Sequence, residues 1–296
     1  MFQLLEVSEV GAILTQNGAC LEVQLPKCEN LLRRIPFEEL DVLLLSQPAL
    51  TLTGGVLAEL GRARVAVVCC DRTCLPVSCL LPMFVDSTSH YANLMAQMAM
   101  SLPQRKRLWQ TLIRAKIAGQ AAVLRRFRNS DVLQGVAAMV QSGDASGEEA
   151  RAAALYWRTL ALFPRRCREA DDDNRLFNYL YTIIYAAVAR QLCAHGISPQ
   201  LGLHHENRYN AFRLASDIME PFRPAADCAI LQFIVEHEPP RLLDSGSKRS
   251  LCALAFGQRL RVGEQNLALF DAIGQTIRSY RKILETGKGT LQVPIW

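Results

Sequence analysis

At 296 residues, half of them hydrophobic, the chain has ample material for a buried core, and its charged residues give a formal net charge of +5. It contains no run of eighteen apolar residues, and its opening MFQLLEVSEVGAIL carries Glu6 and Glu9 but no basic side chain; this argues against a membrane span or a secretory leader and predicts a cytoplasmic protein. Ten cysteines in such a chain read as reduced thiols, and Cys69, Cys70, Cys74 and Cys79 lack the paired C-x2-C spacing of a zinc site.

From Phe2 to Pro82 short apolar runs alternate with turn residues, as in GAILTQNGACLEVQLP and RVAVVCCDRTCLPVSCLL. Asn17-Gly18 between two such runs predicts a hairpin, and Val56, Leu57 and Leu60 in GGVLAELGRA predict one helical insertion. From Tyr91 the period changes to about 3.6. Helices are expected over NLMAQMAMSLPQRKRLWQTLIRAKIAGQAAVLRRF, EEARAAALYWRTL and NRLFNYLYTIIYAAVARQLCAHG, then from Arg208, near Ala226 to Glu236, and from Glu264 to Glu285. The expected fold is α+β: a β-rich, sandwich-like domain over 1–84, a linker at 85–90 and an all-α domain over 91–296.

Charge divides at the same place. Residues 1–82 carry 6 basic and 9 acidic side chains, residues 83–296 carry 27 and 19. Of the 33 basic residues 27 are arginine, whose planar fork suits phosphate, although an Ala-, Leu- and Arg-rich composition alone gives the same excess. The runs QRKRLWQTLIRAK, with Arg105, Lys106, Arg107, Arg114 and Lys116, and RRFR, with Arg125, Arg126 and Arg128, read either as phosphate contacts or as solvated basic helix faces.

Two segments carry candidate chemistry. In SGDASGEEARAAALYWRTL, Ser146 and Glu149 match a capping box, in which Glu149 would only bond back to the Ser146 amide; the other reading turns Glu149 inward as a ligand and leaves Glu148 facing water. In HHENRYNAFRLASDIMEPFRP a helix from Asn207 or Arg208 would set Phe212, Ala215, Ile218, Met219 and Phe222 on its apolar face and end at Pro221 and Pro224. Asp217 and Glu220 would then be neighbours, one turn apart, that repel unless a cation lies between them. Arg213 could instead pair with Asp217, leaving a solvated stripe. His204 and His205 precede this helix, and at most one of two adjacent side chains is expected to point inward.

Together these residues resemble the CRISPR-associated spacer-acquisition integrase, a metal-dependent DNA endonuclease, over essentially the whole chain. The resemblance rests on Glu149-Ala150 with Ala153, Tyr156 and Trp157 downstream, on Asn174, Asn178, Tyr179 and Tyr181, on Gly202-Leu203-His204-His205, and on Asp217, Glu220, Pro221, Phe222, Arg223 and Pro224. The double histidine and the chain length are most similar to the type II subtype, whose members accompany RNA-guided effector nucleases. Many family members have aspartate where this chain has Glu220.

The resemblance implies strand transfer, in which the 3′-hydroxyl of a short DNA fragment attacks a phosphodiester of the CRISPR repeat. It assigns Glu149, His205 and Asp217 to a magnesium or manganese ion, with Glu220 in or beside the ligand set; a histidine ligand favours manganese. Tyr156, Asn174, Arg208 and Arg213 are then expected near the DNA or the ligands. Implied partners are double-stranded DNA fragments and repeat DNA, a second copy of the chain joined through the strand-rich domain, a small ferredoxin-like subunit, and the effector nuclease. The competing readings are a non-catalytic DNA-binding scaffold and a helical metallohydrolase acting on small phosphate esters.

Overall fold

A computed structural model describes residues 3–25, 31–70, 76–82, 87–162, 172–205, 207 and 209–296. The chain divides into two compact units, Met1–Ser87 and Thr88–Trp296.

Unit one contains β1 (Leu4–Val7), β2 (Ile13–Asn17), β3 (Cys20–Leu25), β4 (Leu31–Pro36), β5 (Val42–Leu45), β6 (Thr51–Leu52), α1 (Gly54–Arg62), β7 (Ala66–Cys70) and β8 (Pro76–Leu80). One sheet runs β1-β5-β7-β8, parallel except for β8; the other runs β4-β3-β2-β6, antiparallel except that β6 is parallel to β2. The β2–β3 hairpin pairs Asn17 with Cys20, so its turn is Gly18-Ala19, one residue beyond the Asn17-Gly18 pair expected to make it. Strand β5 is an unbroken apolar VLLL, buried throughout, as suits a strand flanked on both edges by parallel neighbours. Strand β3 alternates, turning Leu21 and Val23 inward. Both sheets feed one core: Val7, Leu43 and Val67 from the first and Leu14, Leu21 and Val23 from the second meet Val56 and Leu60 of α1. Thr53 caps α1 by accepting from the Val56 amide at 3.3 Å.

The second unit follows with α2 (Ser87–Ala99), α3 (Leu102–Arg128), α4 (Val136–Met139), α5 (Glu148–Leu160), α6 (Asn174–Ala194), α7 (Arg213–Met219), α8 (Arg223–Glu236), α9 (Ser245–Phe256), β9 (Arg259–Val262), β10 (Gln265–Ala268), α10 (Leu269–Thr286) and β11 (Pro294–Ile295). Of the residues expected to link the units, Ser87–His90 already lie in the first turn of α2. The helical run expected from Asn93 breaks at Ser101, which forms a capping box with Gln104 and starts α3 with Pro103 in its first turn. Helix α3 is the central member, burying Leu108, Trp109, Leu112, Ile113, Ala115, Lys116, Ile117, Gly119, Gln120, Val123 and Leu124. It packs against α4, α5, α7, α8 and β11.

Three expectations for this unit are corrected. It is not all helix: β10-β9-β11 form a small antiparallel sheet, and the last helix begins at Leu269 because Gly263-Glu264 turns β9 back on β10 with alternating burial along RLRV. Helix α7 begins at Arg213, not at residue 207 or 208; Asn210 first satisfies the turn by accepting from the Phe212 amide and donating to Ser216. Pro221 and Pro224 do not end the helical run. Each occupies the first turn of a new segment, the 3-10 turn Glu220–Phe222 and then α8, where a missing N–H costs little. Among the described residues no helix is long and apolar enough to cross a membrane.

Candidate active site

The turn Gly202–His205 wraps around one carboxylate. Asp217, fully buried on α7, accepts at Oδ2 from the amides of Leu203 (2.5 Å) and His204 (3.2 Å), and at Oδ1 from the amide of His205 (3.3 Å) and from His205 Nδ1 (2.5 Å). An ionised carboxylate only accepts, so Nδ1 is the donor, and in the neutral ring Nε2 keeps the lone pair. The bond to Asp217 raises the His205 pKa above its usual value; partial burial opposes the rise and the charges of Glu220 and Glu149 add to it. Gly202 has no room for a side chain, since a Cβ there would lie 2.8 Å from Arg213 Cβ and 3.0 Å from Asp217 Oδ2. Buried Trp109 of α3 stacks on His204 at 4.4 Å and meets His205 edge-on at 5.6 Å.

Helix α5 delivers Glu149. The expected capping box does not form: the N-cap is Gly147, and the Asp144 carboxylate accepts from the amides of Glu148 (2.9 Å) and Glu149 (3.1 Å). That frees the Glu149 carboxylate, which accepts from Lys116 Nζ of α3 at 2.7 Å. Glu148, expected to face water, is buried and paired with Arg151 at 2.5 Å.

Glu220 completes the group from the 3-10 turn. Its Oε1 accepts from Arg223 Nε at 2.9 Å, and its Oε2 lies 2.6 Å from Lys116 Nζ. The second contact is an ion pair without hydrogen-bond alignment, which leaves a buried Oε2 lacking a directed donor. Burial alone would raise the Glu220 pKa, but Arg223 and Lys116 hold it at about 2. The proline-broken helix therefore parts the two carboxylates: Asp217 turns to the histidine loop and Glu220 to α3. Arg213 does not pair with Asp217; its Nε donates to the Asn207 carbonyl at 3.1 Å.

Among the described residues no three His, Cys, Asp or Glu side chains stand close enough together to hold a metal ion. The cation between Glu149 and Glu220 is Lys116, only 10 % exposed in its side chain. The donor set nonetheless suits a divalent ion: two carboxylates aimed at one shared cation position, a carboxylate oxygen without a directed donor, and an imidazole whose lone pair is fixed from behind.

Other expected contacts fall elsewhere. Tyr156 is fully buried, donating to Asp227 Oδ2 at 2.8 Å while Tyr181 donates to Asp227 Oδ1 at 2.5 Å, so Tyr156 cannot touch DNA directly. Asn174 is buried at the start of α6, bonded to Asp172. Arg208 and Cys74 lie outside the described residues. Lys106 and Arg107 are exposed on α3 and Arg105 is half-buried. Arg114 bonds the Val140 carbonyl, Arg125 pairs with Asp131, Arg126 contacts Cys228 Sγ, and Arg128 bonds the Leu160 carbonyl twice.

Lys116, expected with the basic run of α3 to contact phosphate or face solvent, is instead buried between two carboxylates; Asp144, Trp109 and Asp227 were not singled out from the sequence. Lys116 had one signal: it falls at i+4 from Leu112 and i+3 from Ile113, a lysine on an apolar stripe.

Known proteins share the sequence pattern and the fold of this chain. The family model "CRISPR associated protein Cas1" matches residues 5–240. A CRISPR-associated endonuclease Cas1 of Neisseria meningitidis serogroup C (strain 8013) is 31% identical over 279 residues, 91% of this chain and 90% of the relative. A casposase solved bound to integration product superposes with a TM-score of 0.82 at 18% identity, covering 98% of this chain and 92% of that one. A Cas6-RT-Cas1–Cas2 complex contains a chain that matches with a TM-score of 0.77 at 18% identity, over 99% of this chain and 36% of that longer one.

Proposed function

Because the chain belongs to the CRISPR-associated Cas1 family, we propose that it is a metal-dependent DNA endonuclease and integrase that inserts short foreign DNA fragments into a CRISPR array as new spacers. The observation that carries this reading is the convergence of Glu149 and Glu220 on one cation position, with His205 electrostatically coupled to both. The reaction would be attack by a fragment's 3′-hydroxyl on a repeat phosphodiester, one phosphodiester replacing another without an external energy source.

Glu149, Glu220 and His205 Nε2 would hold the Mg2+ or Mn2+ ion. Asp217, whose two oxygens already accept four hydrogen bonds, fits orientation of His205 better than the ligand role implied from the sequence. When bound, the ion would polarise the phosphoryl oxygen and offset charge on the departing 3′-oxygen. This chain's own part is to hold His205 in one tautomer and keep Glu220 ionised beside Arg223. Lys106 and Arg107, with Arg105 beside them, would take DNA phosphates along α3.

The partners proposed are DNA fragments, repeat DNA, a second copy of the chain through unit one, a small Cas2-type subunit and the effector nuclease. The structural neighbours solved with an integration product and with Cas2 support a DNA partner and the Cas2-type subunit. Unit one, read as sandwich-like because both sheets share one core, is the acidic part of the chain and suits a protein contact. The work would take place in the cytoplasm. One observation favours the scaffold reading: a lysine, not an open space, lies between the carboxylates.

A half-site integration assay with Mn2+ separates the two readings. The parent is expected to join fragment to repeat, and Glu149→Ala and His205→Ala to abolish joining. Parent-level joining by either variant would sink the catalytic assignment.

A further inference from the structure

Lys116 is a buried ammonium inserted among the groups proposed to hold a metal. It enters from α3, where Leu112, Ile113 and Ile117 around it are buried, and its Nζ reaches Glu149 at 2.7 Å and Glu220 at 2.6 Å. Glu149 comes from α5 and Glu220 from the turn after α7, so this one cation ties three elements together. Without a positive charge at this point two carboxylates would face each other in a poorly solvated space, which is costly.

Resting on the metal-site reading above, we propose that Lys116 is a built-in competitor of the divalent ion: it neutralises Glu149 and Glu220 in the metal-free protein and must give up both carboxylates when metal binds. Three features of the site support this. Both oxygens that Lys116 contacts belong to proposed ligands, so ammonium and metal claim the same lone pairs. A protonated lysine has no lone pair to offer a metal, so it cannot join the ligand set. Lys116 Nζ stands almost equally close to the two carboxylates, so one displacement of the ammonium releases both. Arg223 keeps its own bond to Glu220 Oε1 and can hold that carboxylate in place during the exchange.

Lys116 is thus a positioning residue that sets metal affinity, and the sign of its effect is diagnostic. A residue that merely supported the site would weaken metal binding when removed; a competitor would strengthen it. Lys116→Met keeps the stem and removes the charge, and Lys116→Arg keeps the charge. Calorimetric titration with Mn2+ is expected to give Lys116→Met an affinity roughly ten-fold or more above the parent, because a competing buried charge has gone. Its metal-free form should melt below the parent, and Mn2+ should raise its melting temperature by a larger increment. Lys116→Arg should bind no tighter than the parent. Unchanged or weaker Mn2+ binding by a folded Lys116→Met protein overturns the proposal.

The parent supplies a measurement that needs no variant. Acetylation of Lys116 by an N-hydroxysuccinimide ester, followed by mass spectrometry, should be slow without metal and several-fold faster at saturating Mg2+, as the ammonium leaves its two partners. Equal protection with and without Mg2+, in protein that calorimetry finds loaded, also overturns it. If the parent binds neither Mn2+ nor Mg2+, the metal-site reading itself fails, an outcome separate from failure of the competitor role.

Discussion

His205 Nδ1 donates to Asp217 Oδ1 at 2.5 Å, and the same carboxylate accepts the amides of residues 203, 204 and 205. One side chain therefore fixes both the loop and the imidazole tautomer. Asp217→Asn keeps the size but replaces one acceptor oxygen with a donor, so either a backbone amide or Nδ1 faces another N–H. Loss of such an orienting partner costs about 10- to 100-fold in metal affinity. The expected result is Mn2+ affinity reduced in that range and half-site integration reduced in step, with the protein still folded by circular dichroism. Parent values for both would remove Asp217 from the site.

Glu220 makes the site sensitive to acid in a definite direction. Its carboxyl titrates near 4.5 when unperturbed and at about 2 in the fold, held down by Arg223 and Lys116 against the effect of burial. A depressed carboxyl contributes stability that is fully present above the unfolded value and is lost as pH falls through the folded one. The contribution is on the order of 3 kcal/mol, from about 1.4 kcal/mol per pKa unit. Between pH 5 and pH 2, roughly, the parent should therefore lose more stability than Glu220→Gln, whose neutral amide has nothing to titrate. Urea denaturation across that range checks it, and parallel curves for the two proteins would refute it.

Gly119 lies almost one turn beyond Lys116 on α3 and is covered by the chain's last described residue. A Cβ there would stand 2.6 Å from Trp296 Cε2 and 2.7 Å from Pro224 Cγ. Overpacking of this kind costs roughly 1–3 kcal/mol. Gly119→Ala is expected to lower the denaturation midpoint accordingly, and Trp296→Ala in the same chain should recover part of the loss, since one of the two obstructing rings is gone. Additive effects of the two substitutions would show that the rings do not share this space.

What could be read from the sequence was what depends on local pattern. The β2–β3 hairpin follows from its turn residues, α1 from Val56 and Leu60, and α5 and α6 from their apolar periods. Errors arose where a distant or competing partner decided the local conformation. Ser146 and Glu149 satisfy a capping pattern, but the Asp144 carboxylate takes the Glu149 amide that Ser146 would have capped, together with the Glu148 amide beside it. Pro221 and Pro224 read as terminators because a proline lacks a donor, yet each falls in a first turn where no donor is needed. Asp217 and Glu220, one turn apart on paper, are steered apart by partners on a loop and on α3. Lys116 could not be assigned from its helix alone, because its two carboxylates lie 33 and 104 positions away in the sequence.

The basic residues of α3 should divide by what they already bond. Arg128 donates to the Leu160 carbonyl at 3.0 and 2.6 Å, at the C-terminal end of α5 where unpaired carbonyls collect. Its replacement by alanine should cost roughly 1 kcal/mol of stability and leave the salt dependence of DNA binding close to that of the parent. Lys106 and Arg107 are exposed at the other end of the same helix. Each phosphate contact contributes about 0.9 to the slope of log affinity against log salt. Lys106→Ala with Arg107→Ala should therefore flatten that slope by up to about two and weaken binding uniformly across sequences, with little change in melting temperature. Fluorescence anisotropy on a duplex at several salt concentrations measures both arms. A flattened slope for Arg128→Ala together with a parent-like slope for the Lys106 and Arg107 pair would place the DNA at the opposite end of α3.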